Sequence, residues 1–373
     1  MHAFYIFGIS DLQDLLPVIL TSIKRGNQVW VCFLDCLTKK RQFYYYTPEE
    51  LFSFISGVCS ANDLKIPTIG IYGLNDQSKF ESDYSQMNPE YVFLQNATHK
   101  NISWYPIADK SKVIHFAWHM DSARTLMDTH YNVILNSVKF RKDLSYYGKP
   151  SILCIPDWVR VLEGKKKALE SIDSQFFGNL RTEALEFKGL SSIDISAFSD
   201  KKVCFIIEAH LRKNDYEFSG STVDLVHHML RVLKEEGFYT IWKKREKGYP
   251  KGDWYSPLDV CDAKPDLVIE KDLNFPNTIS YFSSLADTTI VINTSTAVFD
   301  AIDVSDKVIM VHPEFISDVE KRKFKNRYEN QGNFEYVHSD WAKFRRLVKL
   351  PKSPTPRKQI CASGLLLDYL KRL

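Results

Sequence analysis

Short β-branched runs alternate with amphipathic stretches along most of the chain. The clearest instance spans residues 287–313. Residues 290–292 are Ile-Val-Ile and residues 308–311 are Val-Ile-Met-Val. Strands buried on both faces of a parallel sheet read as such unbroken apolar runs. Between them stand Asn293, Thr294, Ser295 and Thr296, then a short apolar helical face over 297–302. The stretch predicts strand, hydroxyl-rich turn, helix, strand. Hydroxyl side chains at a helix start cap its free N–H groups. The same place, at a strand's carboxyl end and a helix's amino end, is where open α/β sheets hold anions. Both readings stand on the pattern alone.

The chain opens with the same alternation. Residues 3–7 are an apolar run, and Leu12, Leu15, Leu16, Ile19, Leu20 and Ile23 recur at helical spacing. Pro17 predicts a kink in that helix. Lys24, Arg25 and Gly26 predict its end. Residues 29–34 complete a βαβ unit, which is right-handed and parallel by rule. Further strands are predicted at 67–72, 91–94, 111–118, 132–135 and 151–155, the last closing this half. Helices are predicted at 48–58, from 122 and from 137, and residues 75–88 read as a loop or short helix.

Residues 159–200 break the pattern with Gly164-Lys165-Lys166-Lys167 and Phe176-Phe177. They read as a solvated linker with one or two helices; contact of this basic, aromatic edge with an anionic membrane surface is the other reading. The alternation then restarts, with strands at 202–209, 238–242 and 267–269 and helices at 222–236 and 277–285. Residues 341–350 and 364–373 read as terminal helical pieces around the proline-rich 351–356. The organisation predicts domains at 1–158 and 201–348, a linker at 159–200 and a final helical segment at 349–373.

Composition narrows the chemistry. With 373 residues, 44% hydrophobic and 25% charged, the chain suits a two-domain globular protein. A net charge of +3 is too small to imply nucleic-acid binding. Seven cysteines occur without a CxxC pair, which predicts reduced core thiols in the cytoplasm. No signal peptide is expected in residues 1–9, and no run reaches the ~18 apolar residues of a membrane span. The first strand-to-helix turn carries one glycine, Gly8, in place of GxGxxG, so nicotinamide and flavin binding gain no support.

Candidate chemistry gathers after strands. Asp11 either caps the first helix or acts as a base. His119 and Asp121 follow the strand at 111–118, and an imidazole oriented by a carboxylate is a base. Arg212 and Lys213 follow one strand of the second half; Lys243, Lys244 and Arg245 follow another; the hydroxyl turn at 294–296 follows a third. A parallel sheet would set all three along one carboxyl edge, with Arg and Lys suited to phosphate oxygens.

Several segments resemble the GT-B glycosyltransferases. Leu15-Leu16-Pro17 with residues 24–31 looks like their opening helix and "rGhxVxv" strand. Residues 132–137 and 140–144, Gly148 and Ile155-Pro156 resemble the end of their first domain. Residues 287–302 followed by Lys307-Val308-Ile309 are similar to their "aDxxItxxSSxxxeA…gkPvI" segment, and residues 208–212 to their basic motif after a strand. The wider group includes CDP-glycerol glycerophosphotransferases and non-hydrolysing nucleotide-sugar 2-epimerases. Departures are the lone Gly8, Ser305-Asp306-Lys307 in place of Gly-Lys-Pro, and His119-Met120 in place of His-Gly.

The resemblance implies an α/β fold of two Rossmann-like parallel-sheet domains facing a cleft, with a C-terminal helix returning to the first. It implies a glycosyltransferase that moves a sugar from a nucleotide-sugar donor to a saccharide or glycolipid acceptor, in surface polysaccharide or glycoconjugate synthesis, with no metal and no cofactor beyond the donor. His119, Asp121 or Asp11 would be the base. His210, Arg212, Lys213, Lys243, Thr294, Ser295 and Thr296 would hold the nucleotide's phosphates. The protein would be cytoplasmic or peripheral on the inner face of the membrane. A glycerophosphotransferase, an epimerase and a non-catalytic binding protein of the same fold are the alternatives.

Overall fold

The structure of the protein, a computed structural model, describes residues 1–6, 9–34, 47–73, 75–94, 112–116, 152–154, 174–175, 177, 180–191, 193–208, 219–244, 256–259, 261–270, 278–292, 297–312, 333–338, 340–351 and 361–373. In the first half, strands β1 (His2–Ile6), β2 (Val29–Leu34), β3 (Thr68–Tyr72), β4 (Tyr91–Leu94), β5 (Lys112–Phe116), β6 (Ile152–Cys154) and β7 (Ser174–Gln175) form one parallel sheet in the order β3-β2-β1-β4-β5-β6-β7. Helices α1 (Ile9–Lys24), α2 (Pro48–Ala61) and α3 (Gln77–Met87) connect them. A four-residue helix, α4 (Leu180–Glu183), precedes the second half.

There β8 (Val203–Ile207), β9 (Tyr239–Lys243), β10 (Leu267–Ile269), β11 (Thr288–Ile292), β12 (Val308–His312) and β13 (Phe334–His338) form a second parallel sheet, ordered β10-β9-β8-β11-β12-β13. Its helices are α5 (Ser219–Glu235), α6 (Thr278–Leu285), α7 (Ala297–Ile302) and α8 (Trp341–Lys349). The chain then returns as α9 (Ala362–Leu370).

Each sheet is covered on both faces, which is why its central strands are apolar throughout. Phe4, Ile6, Phe33 and Phe93 pack under α1, α2 and α9, while Ala3, Tyr5, Trp30 and Val92 pack under Phe80 and Tyr84 of α3. In the second sheet Ile206, Ile290 and Ile309 meet α5 and α8, and Phe205, Val291 and Met310 meet α6 and α7. The two halves also use one device to turn from first helix into second strand. Gly26 adopts φ 79°, with Gly26 N–H donating to Ile23 C=O at 2.9 Å and Asn27 N–H to Ser22 C=O at 3.0 Å. Gly237, at φ 73°, repeats it: Gly237 N–H donates to Lys234 C=O at 3.1 Å and Phe238 N–H to Leu233 C=O at 3.0 Å. Both are Schellman ends, in which glycine takes the left-handed position without a Cβ clash.

Several expectations change. β7 follows β6, so residues 151–155 do not close the first sheet. β7 is two polar residues long and gives no apolar run. β13 was not expected from the pattern: Glu335 is exposed and Phe334 and Tyr336 are only half-buried, as befits a strand at the sheet's edge. Of the two readings for residues 75–88 the structure shows the helix, at 77–87, and Pro17 stands inside α1 as expected. The strand expected at 132–135 and the helices from 122 and 137 lie outside the described residues.

The segment read as a solvated linker is substantially buried where it is described. Leu180, Ala184, Phe187 and Leu190 join the first core, and Phe198 joins the second. Asn62 fixes the intervening backbone, donating to Lys188 C=O at 3.0 Å and accepting from Lys188 N–H at 2.9 Å. The first core is completed by Ala362, Leu366, Leu367 and Leu370 of α9. That helix is held by Arg25–Asp368 at 2.7 Å and by Tyr91 O–H donating to Leu370 C=O at 2.9 Å.

Two predictions follow from local geometry. A Cβ at Gly26 or Gly237 meets no atom within 4 Å, so alanine there tests backbone conformation alone. Chemical denaturation of Gly26→Ala and of Gly237→Ala should show a loss of roughly 1–2 kcal/mol each. Second, burial pushes the His2 imidazole down from 6.5 to about 4. The unfolded chain takes up this proton at the higher pH, so the contribution is fully present above about 6.5 and is lost as pH falls through that window to about 4. The loss is on the order of 3 kcal/mol, and His2→Gln should flatten the stability profile over the same range.

Candidate functional site

The carboxyl ends of three neighbouring strands define the candidate site in the second domain. β8 lies between β9 and β11, with Ile207 opposite Lys243 on one side and Val291 opposite Ile207 on the other. Strand order reverses across β8 and β11, the switch point at which open parallel sheets bind ligands. The three segments singled out by sequence therefore attach to three adjacent strand ends. Lys243 is the last residue of β9, 4% exposed, and its ammonium donates to Lys244 C=O at 2.9 Å. It belongs to the strand itself, which runs one residue further than expected. His210, Arg212, Lys213, Thr294, Ser295 and Thr296 lie outside the described residues, as do His119 and Asp121 after β5. Asp11 lies in the first turn of α1 and is buried.

Beside Lys243 is a carboxylate that sequence reading did not single out. Glu208, directly after β8, is 5% exposed. Its Oε2 accepts from Trp242 Nε1–H at 2.9 Å and from Ser256 O–H at 2.5 Å. Its backbone N–H donates to Lys243 C=O at 3.1 Å. Glu208 thus binds the ends of β8 and β9 to the turn at 256–259. Lys244 is taken up by the same edge: burial alone would lower its pKa, but its hydrogen bond to Asp259 and the charges of Asp259 and Glu270, at 2.8 and 3.4 Å, raise it above the usual lysine value. Of the basic run after β9, Lys244 is committed to these carboxylates.

A second charged cluster joins the domains. Arg181 of α4 donates from Nε to Asp14 Oδ1 and from Nη2 to Asp14 Oδ2 at 3.5 Å. Its Nη1 donates to Asp300 Oδ2 at 3.1 Å. Asp14 belongs to α1 and Asp300 to α7, so one guanidinium holds a carboxylate from each domain. Burial alone would lower the arginine's pKa; Asp14 and then Asp300 outweigh it and hold Arg181 charged. The neighbouring Glu183 accepts from Ser363 N–H at 2.8 Å and Ser363 O–H at 2.6 Å, anchoring the start of α9. The available sequence signal was a lone carboxylate inside each apolar stretch, Asp14 between Leu12 and Leu15 and Asp300 between Val298 and Ile302.

No protein-family model and no curated protein matches the sequence. Solved structures do match its shape. A candidate UDP-N-acetylglucosamine 2-epimerase from Listeria monocytogenes superposes with a TM-score of 0.61 at 13% identity, covering 99% of this chain and 95% of that one. The Methanocaldococcus jannaschii UDP-GlcNAc 2-epimerase, in complex with UDP-GlcNAc and UDP, gives 0.57 at 15% identity and covers 100% of both chains. S. aureus MnaA, in its UDP co-structure, gives 0.59 at 11% identity, over 99% of this chain and 96% of that one. The chain has the GT-B fold. Its two parallel sheets and returning α9 are the GT-B arrangement expected from the sequence. No helix among the described residues is long and apolar enough to cross a membrane, and no group of three or more described His, Cys, Asp or Glu residues is placed to hold a metal ion.

Removing the Glu208 carboxylate strands the Trp242 indole N–H and the Ser256 hydroxyl inside the GT-B second domain. Glu208→Ala should cost roughly 1.5–3 kcal/mol in urea denaturation, the range for hydrogen bonds to a charged group, and should shift Trp242 emission. Glu208→Gln, which keeps an acceptor, should lose less.

Proposed function

We propose that this chain is an enzyme acting on a nucleotide-activated sugar, held through its diphosphate by the second domain and presented to the first. The observation that carries the reading is the in-register adjacency of β9, β8 and β11, whose carboxyl ends lead into Lys243, into His210, Arg212 and Lys213, and into Thr294, Ser295 and Thr296. An anion held there would meet guanidinium, ammonium and hydroxyl donors together, the set that stabilises a departing diphosphate. In the leading reading the sugar passes to an acceptor hydroxyl of a saccharide or glycolipid. A first-domain base takes the hydroxyl proton; Asp11 is only 2% exposed, which favours His119 and Asp121 for that role. Residues 1–158 would form the acceptor side and 201–348 the nucleotide side, with a cytoplasmic location and a role in polysaccharide or glycoconjugate synthesis.

One observation favours a second reading, 2-epimerisation of the sugar. The structures superposing on essentially the whole chain at TM-scores of 0.57 and 0.61 carry that activity in their descriptions, and one of them holds UDP-GlcNAc and UDP. The two readings share the nucleotide site and differ in product.

Thermal stability measured against UDP, GDP, CDP, CMP and dTDP, with and without their sugars, should reveal one selective nucleotide, since a ligand of the native state raises its apparent stability. UDP is the expected responder. Arg212→Ala should keep its fold and weaken that nucleotide's binding by about tenfold or more, as loss of a charged hydrogen bond implies; unchanged affinity would remove Arg212 from the site. Analysis of a labelled donor by NMR then separates a transferred sugar from a 2-epimer. No response to any nucleotide by well-folded protein would overturn both readings.

A further inference from the structure

The Arg181 cluster lies apart from the β8, β9 and β11 strand ends proposed to hold the nucleotide, yet it joins the elements on which that site depends. Asp14 stands on α1, the helix whose first turn carries Asp11. Asp300 stands on α7, the helix that follows the Thr294–Thr296 segment. Arg181 comes from neither sheet domain's helices but from α4, between them in the chain. Both edges of its planar fork are used, Nε and Nη2 toward Asp14 and Nη1 toward Asp300. Side-chain exposure is 7% for Arg181, 1% for Asp14 and 4% for Asp300. A lysine ammonium is a point charge and cannot present two edges to two carboxylates on opposite sides. Parting α1 from α7 would strip a partner from a buried charge, which is strongly unfavourable. A change in the width of the space between the domains is therefore easier as a rotation about this cluster than as a separation at it.

We propose that Arg181 is a positioning residue: it pins α1 of the first domain to α7 of the second, and so sets the distance between the first-domain base and the second-domain diphosphate site. The pin itself stands on geometry alone; its effect on turnover rests on the function proposed above.

The test uses the full chain and two variants. Asp14→Asn keeps the shape and weakens the first-domain arm. Arg181→Lys keeps the charge and loses the fork, and carries the test if Asp14→Asn does not fold. Solution X-ray scattering reads the pin directly. Each folded variant should show a broader pair-distance distribution and a larger radius of gyration than wild type. Turnover should fall about tenfold to a hundredfold, the scale of an ångström-level misplacement, while UDP affinity stays near that of wild type because the second domain's own site is intact. Lower melting temperature with unchanged scattering and unchanged turnover would overturn the proposal, leaving Arg181 a stabilising residue only. Affinity lost in step with turnover would also overturn it, placing Arg181 within nucleotide binding. Should wild type bind no nucleotide, the proposed function falls, and the scattering comparison still decides the pin.

Discussion

Charges survive away from water only where opposite charges or strong hydrogen bonds meet them, and the single turn α4 is built around that requirement. Its Arg181 faces Asp14 and Asp300, and its Glu183 faces the start of α9 through Ser363. Two side chains of α4 thus tie together the first domain, the second domain and the returning end of the described chain. Removing one partner of a buried ion pair costs roughly 3–5 kcal/mol, a large part of the stability of an ordinary domain. The backbone on either side is fixed as well, by Asn62 against Lys188 and by Phe198 in the second core. The junction thus links the two sheets through buried charge, with α9 attached to the same turn.

Within each half the governing constraint is strand direction. All pairs in both sheets are parallel, so each carboxyl edge collects the segments that leave its strands. The sequence can vary widely so long as strands stay apolar on both faces and helices keep one apolar face. That tolerance explains how structures at 11–15% identity superpose on 99–100% of this chain. The same tolerance means that the shared fold does not by itself fix an activity.

Legibility followed the same physics. β2, β4 and β10 coincide residue for residue with the runs at 29–34, 91–94 and 267–269, and Gly26 and Gly237 end their helices as their positions implied. β13 escaped because edge position leaves Glu335 in solvent and interrupts the apolar signal. That the ends of β8, β9 and β11 share one carboxyl edge was readable, because alternating strands and helices build parallel sheets; that the three strands are neighbours was not. The burial of Lys243 was not, since a lysine at a strand end looks the same in sequence whether covered or open. The Arg181 cluster was the least readable: its partners lie 167 and 119 residues away, and no local spacing connects them.

The return of α9 has a consequence for how the protein is made. Ala362, Leu366, Leu367 and Leu370 are part of the same core as Phe4, Leu16 and Val31. A chain emerging from the ribosome presents β1, α1 and β2 first and these four residues far later. Until then α1 and α2 cover that face of the amino-terminal sheet, but the part of the core that α9 closes stays open while the second domain is synthesised. The first domain's core is therefore completed by a segment made after the second domain, so its last packing step comes after the second domain's strands are in place in the chain.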